Sequence, residues 1–237
     1  MEPETSAVDT GFFNRLVNIF FNPTKTFESI LHQPSWALPW ICIFLLHSFS
    51  LVVLKDVYVV EKAKIVREAL AKNQNMTDEQ KEQAVEMTQK LWFIDLIFLF
   101  FWFLIMILLG GLILKIIGNN LLGGTLDFAP AASLFAWVQF IDIPMWLVKG
   151  PLIYVTESLR ADTGLGLLIP NASLLSVQYV FLSSFDLFSI WKLVLVGLGL
   201  AFMTKASTQK TFIVVGLIWL AWVAARTGLA TVNVHLP

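Results

Sequence analysis

Apolar residues are gathered into long blocks separated by short polar segments, and five of these blocks read as membrane-crossing helices. The first covers residues 36–54 and opens with Trp36 and Trp40, aromatic residues that favour interface depth. The second, residues 91–117, would rise about 40 Å as a helix, more than a hydrocarbon core of about 30 Å, so it must tilt or protrude. The third, residues 128–148, is interrupted by Pro130 and Pro144 and carries Gln139 and Asp142. The fourth covers residues 187–203. The fifth covers residues 211–225, and is short unless it continues past Arg226 to Leu229. A sixth apolar stretch, residues 174–185, is too short to cross and rich in serine, which suits a re-entrant or interfacial piece.

The polar segments have their own periodicity. Within residues 11–31, Phe12, Phe13, Leu16, Val17 and Phe20 fall on one helical face and Asn14, Arg15 and Asn18 on the other. That pattern predicts a helix lying in the membrane surface; packing of the same stripe on the protein itself is the alternative. Asn22-Pro23 should end this helix and start the next, with proline at the first helical position. Residues 55–90 read as a helical hairpin with arms 61–72 and 77–90, Asn73-Gln-Asn-Met as the turn and Thr77-Asp-Glu-Gln as a capping box. Residues 118–125 form an Asn/Gly turn, and residues 204–210 a short link with Lys205 and Lys210. The expected organisation is an N-terminal tail and interfacial helix over 1–35, then a five-span all-α membrane domain over 36–237 with the hairpin outside the bilayer.

Composition strengthens this picture. Hydrophobic residues are 57% and charged residues 14% of the chain, against roughly 25% charge in soluble domains. Of 33 charged residues (16 basic, 17 acidic), 14 lie in the 55–90 hairpin, so the remainder is too apolar to face water. A net charge of −1 offers no basic surface for nucleic acid. The single cysteine, Cys42, excludes an internal disulfide and a multi-thiolate metal site. The acidic start (Glu2, Glu4, Asp9) lacks the signature of a cleavable signal peptide.

No complete catalytic constellation or cofactor-binding pattern is present: there is no Gly-x-Ser-x-Gly elbow, no His-Glu-x-x-His helix and no P-loop. Gly197-Leu-Gly199 lacks the strand and third glycine of a dinucleotide turn and predicts a close helix contact, with Gly216 and Ala221 assisting. His32, His47 and His235 lie in separate segments. His47 neighbours Ser48 and Ser50, but adjacent residues point to different faces. Two intramembrane acids, Asp95 and Asp142, invite a functional reading because a lone carboxylate in hydrocarbon is expensive. A transport site at Asp142, beside the Pro144 break, is one reading. An intramembrane aspartyl protease would need two acids at one depth and a glycine-rich motif that is missing. The favoured reading is structural, with Asp142 and Gln139 organising the Pro144 kink.

Several motifs resemble the Yip domain family of Ypt/Rab-interacting membrane proteins, in its bacterial branch. The most specific is Asp186-Leu-Phe-Ser-Ile-Trp191 opening the fourth span, followed by Gly197-Leu-Gly199 and Thr204-Lys-Ala-Ser-Thr-Gln-Lys-Thr-Phe212. Ile19-Phe-Phe-Asn-Pro-Thr-Lys-Thr-Phe27 with Pro34-Ser-Trp36, and Thr125-Leu-Asp-Phe-Ala-Pro-Ala-Ala-Ser133 leading to Pro144, extend the resemblance over nearly the whole chain. The resemblance implies five spans, a cytosolic N-terminus and no catalytic residues to carry over. Eukaryotic members engage Rab-type GTPases through a long N-terminal region; here that region is only residues 1–35. Bacterial members are often accessory proteins, some associated with ABC-type exporters and periplasmic adaptors. The charge rule points the other way: with the N-terminus inside, the inner side holds Arg15, Lys25, Lys115, Lys205 and Lys210, fewer than the hairpin plus Lys149, Arg160 and Arg226.

The expectation is therefore a non-enzymatic accessory or scaffold protein of the bacterial cytoplasmic (inner) membrane. Its partners would be the bilayer and a membrane protein or second copy, with a periplasmic adaptor or ABC exporter possible on the hairpin side. A small proton- or ion-coupled transporter using Asp142 is the alternative.

Overall fold

The computed structural model describes residues 11–71 and 73–235, with side chains described as far as residue 230. Glu2, Glu4 and Asp9, Lys72 at the end of one hairpin arm, and the side chain of His235 lie outside the described residues. Every regular element among the described residues is helical, apart from one isolated β-bridge between Gly164 and Asp186.

The chain begins with two short helices, α1 (Phe12–Phe21) and α2 (Pro23–His32). The boundary falls at Asn22-Pro23 as the residue pattern predicts, since proline at the first position gives up an N–H that would have no partner anyway. The first apolar block forms α3 (Ala37–Val53), and the chain then turns by 85° into α4 (Lys55–Ala71). With α5 (Asp78–Lys90), α4 forms the expected hairpin. The Thr77 capping box is complete: Gln80 N donates to Thr77 Oγ1, and Thr77 N donates to Gln80 Oε1 at 2.9 Å. The second span is α6 (Ile94–Ile116), drawn out by a wider turn to Leu121.

The third span is α7 (Phe128–Val138) and α8 (Asp142–Thr156), joined by a 3₁₀ turn at Gln139–Ile141. Two sequence expectations need correction here. Pro130 does not interrupt the span: it sits third in α7, where a missing N–H leaves nothing broken. Pro144 likewise sits third in α8, so the break lies just before it. The span also runs on past residue 148, accommodating Pro151 within α8. After a loop with a short helix, α9 (Val177–Leu182), the fourth span is α10 (Leu187–Thr204) and the fifth α11 (Thr208–His235). The 174–185 stretch therefore gives only a short helix, too brief to cross.

Among the described residues, four helical stretches are long and apolar enough to cross a bilayer: Ile94–Leu121, Phe128–Thr156, Leu187–Thr204 and Thr208–Ala230. The bent pair α3/α4 makes a fifth when counted as one span. Their surfaces show which solvent they expect. Leu38, Ile41, Leu45, Phe49 and Val52 of α3 are all exposed at helical spacing, as are Ile97, Phe101, Ile105, Leu109 and Leu112 of α6. Continuous apolar stripes of this kind are ruinous in water and are the ordinary lipid-facing surface of a membrane helix. The chain is an all-α, multi-pass integral membrane protein.

Contacts divide the chain into two compact units. One comprises Met1–Ile43, Trp102–Ile141 and Trp191–Leu217; the other comprises Phe44–Phe101, Asp142–Ile190 and Ile218–Pro237. In the first, small residues let helices approach. A Cβ added at Gly111 would lie 2.6 Å from Ala132 Cα, and one at Gly110 would lie 2.6 Å from the Phe135 ring. Ala131, Ala132, Ser133, Leu134 and Ala136 are accordingly buried. In the second, α4 and α5 pack on each other around Ala63 and Val85, with Arg67 Nε and Nη2 donating to the two carboxylate oxygens of Glu82.

Candidate functional site

In the first unit, the N-terminal helix α1 is held by its charged residue. Arg15 was expected on the polar face, yet it is buried. Its Nε donates to Ser29 Oγ at 2.8 Å, Nη1 to Ser35 Oγ at 2.7 Å and Nη2 to the Ser29 carbonyl, while its guanidinium lies 5.8 Å from the Trp137 ring. A buried guanidinium needs this many acceptors. Its burial splits the predicted apolar stripe. Phe12 stacks against Trp137 and Phe140, and Phe20 meets Trp191 edge-on at 6.1 Å. Leu16 is half-buried, whereas Phe13 and Val17 are exposed together with Phe21. The outward stripe is therefore 13, 17 and 21, one position round from the one the sequence suggested.

The same unit places three further predicted residues. Gln139 accepts from Lys192 Nζ at 2.8 Å and donates to the Phe135 carbonyl. A Cβ at Gly199 would strike Leu134 Cδ1 of α7, and one at Gly197 would lie 3.0 Å from the Phe212 ring of α11. Both glycines do mark close helix contacts, but Gly216 has nothing within 4 Å and Ala221 is exposed, so neither assists.

The second unit holds the polar clusters. Asp142 is buried and its Oδ2 accepts from His47 Nε2 at 3.1 Å; Trp146 Nε1 donates to His47 Nδ1 at 3.3 Å. An indole N–H can only donate, so Nδ1 is the accepting nitrogen and the imidazole hydrogen sits on Nε2, facing the carboxylate. Gln139 lies in the 3₁₀ turn and Asp142 opens α8, so both flank the break before Pro144. Ser50 Oγ donates to the Leu46 carbonyl rather than to His47. Asp95, the other intramembrane acid, accepts from Lys62 Nζ at 2.5 Å and Tyr58 Oη at 3.0 Å.

Asp186 is the hub of a second cluster. Oδ1 accepts from the N–H groups of Phe188 and Ser189, capping the start of α10; Oδ2 accepts from Lys149 Nζ at 2.7 Å and Thr163 Oγ1 at 2.5 Å. Burial alone would raise its pKa, but the Lys149 ammonium, the Thr163 hydroxyl and the Ser189 N–H together hold the carboxyl below the ordinary range. This accounts for the first letter of the Asp-Leu-Phe-Ser-Ile-Trp motif. Nearby, Arg160 Nε donates to Asp162 at 3.1 Å, and its remaining hydrogens close the loop by reaching the carbonyls of Ile169, Pro170 and Ala172. Tyr179 lies under that guanidinium and donates to Asp162 at 2.9 Å; burial and then this carboxylate push its phenol up to about 12.

The loop also holds the hairpin: Ser158 Oγ donates to Glu61 Oε2 at 3.1 Å and Ser173 Oγ to Glu68 Oε1 at 2.5 Å. The His47–Asp142 and Lys149–Asp186 pairs lie 95 and 37 residues apart in the chain, and nothing in local spacing announces them. Among the described residues no group of three His, Cys, Asp or Glu side chains could hold a metal ion.

A family model described as the Yip1 domain matches residues 17–225. No curated protein and no solved structure matches the chain.

Proposed function

The chain belongs to the Yip1 domain family, and from that premise we propose that it is a non-enzymatic accessory or scaffold protein of the bacterial cytoplasmic membrane, with a cytosolic N-terminus. One observation carries the reading. The α4–α5 hairpin is braced as a surface, by Glu61 and Glu68 on the serines of the 157–186 loop and by Arg67–Glu82 between its own arms. Helices this short are marginal alone in water. Held on the membrane domain, they present a charged face that a membrane-protein partner, a periplasmic adaptor or ABC exporter among them, can engage. The outward stripe of Phe13, Val17 and Phe21 serves as the interfacial anchor.

The test of side and partner uses one engineered cysteine. Cys42→Ser removes the native thiol, and Asn75→Cys places a new one in the exposed hairpin turn. An impermeant thiol reagent should label intact cells. A photo-crosslinker at the same position should capture a membrane or periplasmic protein. Labelling only after lysis would invert the topology and remove an extracytoplasmic partner.

A second reading is a small proton- or ion-coupled transporter using Asp142. It is favoured by the burial of that carboxylate beside a helix break and by its bond to His47. In proteoliposomes, a pH-gradient-driven flux abolished by Asp142→Asn would support it; no flux with any gradient would end it.

A further inference from the structure

Two recesses flank α8 in the second unit. One is a polar chamber of about 440 Å³ bordered by Lys149, Asp162, Tyr179, Asp186 and Arg226. The other is an apolar groove of about 450 Å³ running along Phe49, Val53, Ile143, Leu147, Gly150 and Tyr154. Trp146 borders both.

The chamber wall carries two cations and two acids, but Asp162 is engaged by Arg160, which stands outside the wall. Asp186 is taken by Lys149 at 2.7 Å and Asp162 by Arg160 at 3.1 Å, so each carboxylate has its own cation. Arg226 is the surplus. It has one long hydrogen bond, 3.4 Å to Ser184 Oγ, and its guanidinium lies 5.6 Å from the Trp222 ring. Arginine and tryptophan one turn apart near the end of a span are the side chains that settle at headgroup depth. A guanidinium there matches the paired oxygens of a phosphate. The groove beside it is built for hydrocarbon. Leu147 and Tyr154 stand exposed along it, and a Cβ added at Gly150 would meet nothing within 4 Å. The glycine is therefore not demanded by packing; it leaves the groove open.

We propose that the two recesses form one site for a glycerophospholipid, its single phosphodiester charge on Arg226 and an acyl chain along the groove past Trp146. This is a discrete lipid site, distinct from the lipid that wets the exposed stripes of α3 and α6, and it does not depend on the accessory role. A phosphodiester contributes one negative charge, matching Arg226, the cation of the wall that takes no carboxylate among the described residues. The acids being already engaged, no carboxylate is left to favour an amine in the headgroup.

The full-length protein in a non-ionic detergent, titrated with phosphatidylglycerol and read by native mass spectrometry, tests the site. One phosphatidylglycerol should be retained, in preference to diacylglycerol, which lacks the phosphate, and to glycerol 3-phosphate, which lacks the tails. Arg226→Gln should weaken retention by about tenfold, the loss of one charge-assisted contact. Gly150→Leu should weaken it comparably by filling the groove. Arg226 is exposed with one long hydrogen bond, and Gly150 faces open space, so the lipid-free melting temperature should change by no more than about 2 °C, under about 1 kcal/mol. Equal retention by wild type, Arg226→Gln and Gly150→Leu would mean annular lipid only and overturn the site. So would sensitivity to one substitution but not the other, because the headgroup and tail halves would then be unconnected. Glycerol 3-phosphate held as tightly as the lipid would assign the chamber to soluble phosphate compounds instead.

Discussion

Removing the Asp186 carboxylate should separate two contributions that one side chain makes at once. Asp186→Ala deletes the acceptor that caps α10 and strands the Lys149 ammonium, whose side chain keeps only 22% exposure. Losing a cap costs roughly 0.5–2 kcal/mol. Leaving a buried charge unpaired costs roughly 3–5 kcal/mol, at the lower end here because the lysine still reaches some water. The sum is about 4 kcal/mol, which at about 2–4 °C per kcal/mol for a chain this size lowers the melting temperature by roughly 8–16 °C. Asp186→Asn keeps an oxygen for the Phe188 and Ser189 N–H groups and loses only the charge, so it should fall between alanine and wild type. Adding Lys149→Met to Asp186→Asn should restore part of the loss. The pH dependence has a defined sign: a carboxyl held below its unfolded pKa stabilises the fold above that unfolded value. That stability fades as pH falls through and below the ordinary carboxylate range, and the asparagine variant should lack this acid-side loss. Melting curves in detergent at several pH values read all of it. Equal destabilisation by asparagine and alanine would refute the division into cap and charge.

The remaining predictions touch other parts of the chain. Gly199→Leu drives a side chain into Leu134 and should cost about 1–3 kcal/mol by over-packing, while Gly216→Ala, in open space, should be neutral in the same melting assay. Asp142→Asn keeps an acceptor for His47 Nε2–H and should cost under about 1 kcal/mol, whereas Asp142→Ala should cost about 1–3 kcal/mol by leaving that N–H unmatched. Arg15→Met should detach α1 more than Arg15→Lys does, detected as protease cutting near Asn22, because lysine can still reach one of the serine acceptors. A fluorophore at Val17 should be quenched by brominated lipid and one at Ile19 should not; the reverse order would remove the anchor.

Periodicity and turn chemistry made most of the elements legible in the residues. Asn22-Pro23 and the Thr77 capping box act over a few neighbouring positions and fell where the pattern put them, and the apolar blocks became helices, the third and fifth running beyond their expected ends. Side-chain partners were not legible, because they depend on which helices meet. Arg15 looked like a surface cation since its acceptors, Ser29 and Ser35, lie on the next turns of chain rather than on its own helix. His47 and Asp142 looked unrelated because their contact joins two different spans. The prolines misled in a third way: local rules treat proline as a breaker, and here Pro130 and Pro144 both stand in the opening turn of a helix. Asp186 was singled out only by the motif, and its double duty as cap and counter-ion gives that motif a physical reason.

Ser35 has a consequence for how the protein is made. It accepts from Arg15 Nη1 through its hydroxyl, and its carbonyl accepts from Trp137 Nε1 at 2.9 Å across 102 residues of sequence. Helix α1, made before any of the spans described, is thus fastened to a joint that is finished only when the third span has been synthesised. Until then the guanidinium lacks its tryptophan neighbour, and Phe12 lacks both Trp137 and Phe140. Helices α1 and α2 thus form a latch whose packing can be completed only once Trp137 and Phe140 have been made. Nascent chains stalled before residue 137 should expose the 11–32 segment to protease, and chains stalled well beyond it should protect that segment; protection of both would mean the latch closes without its tryptophan.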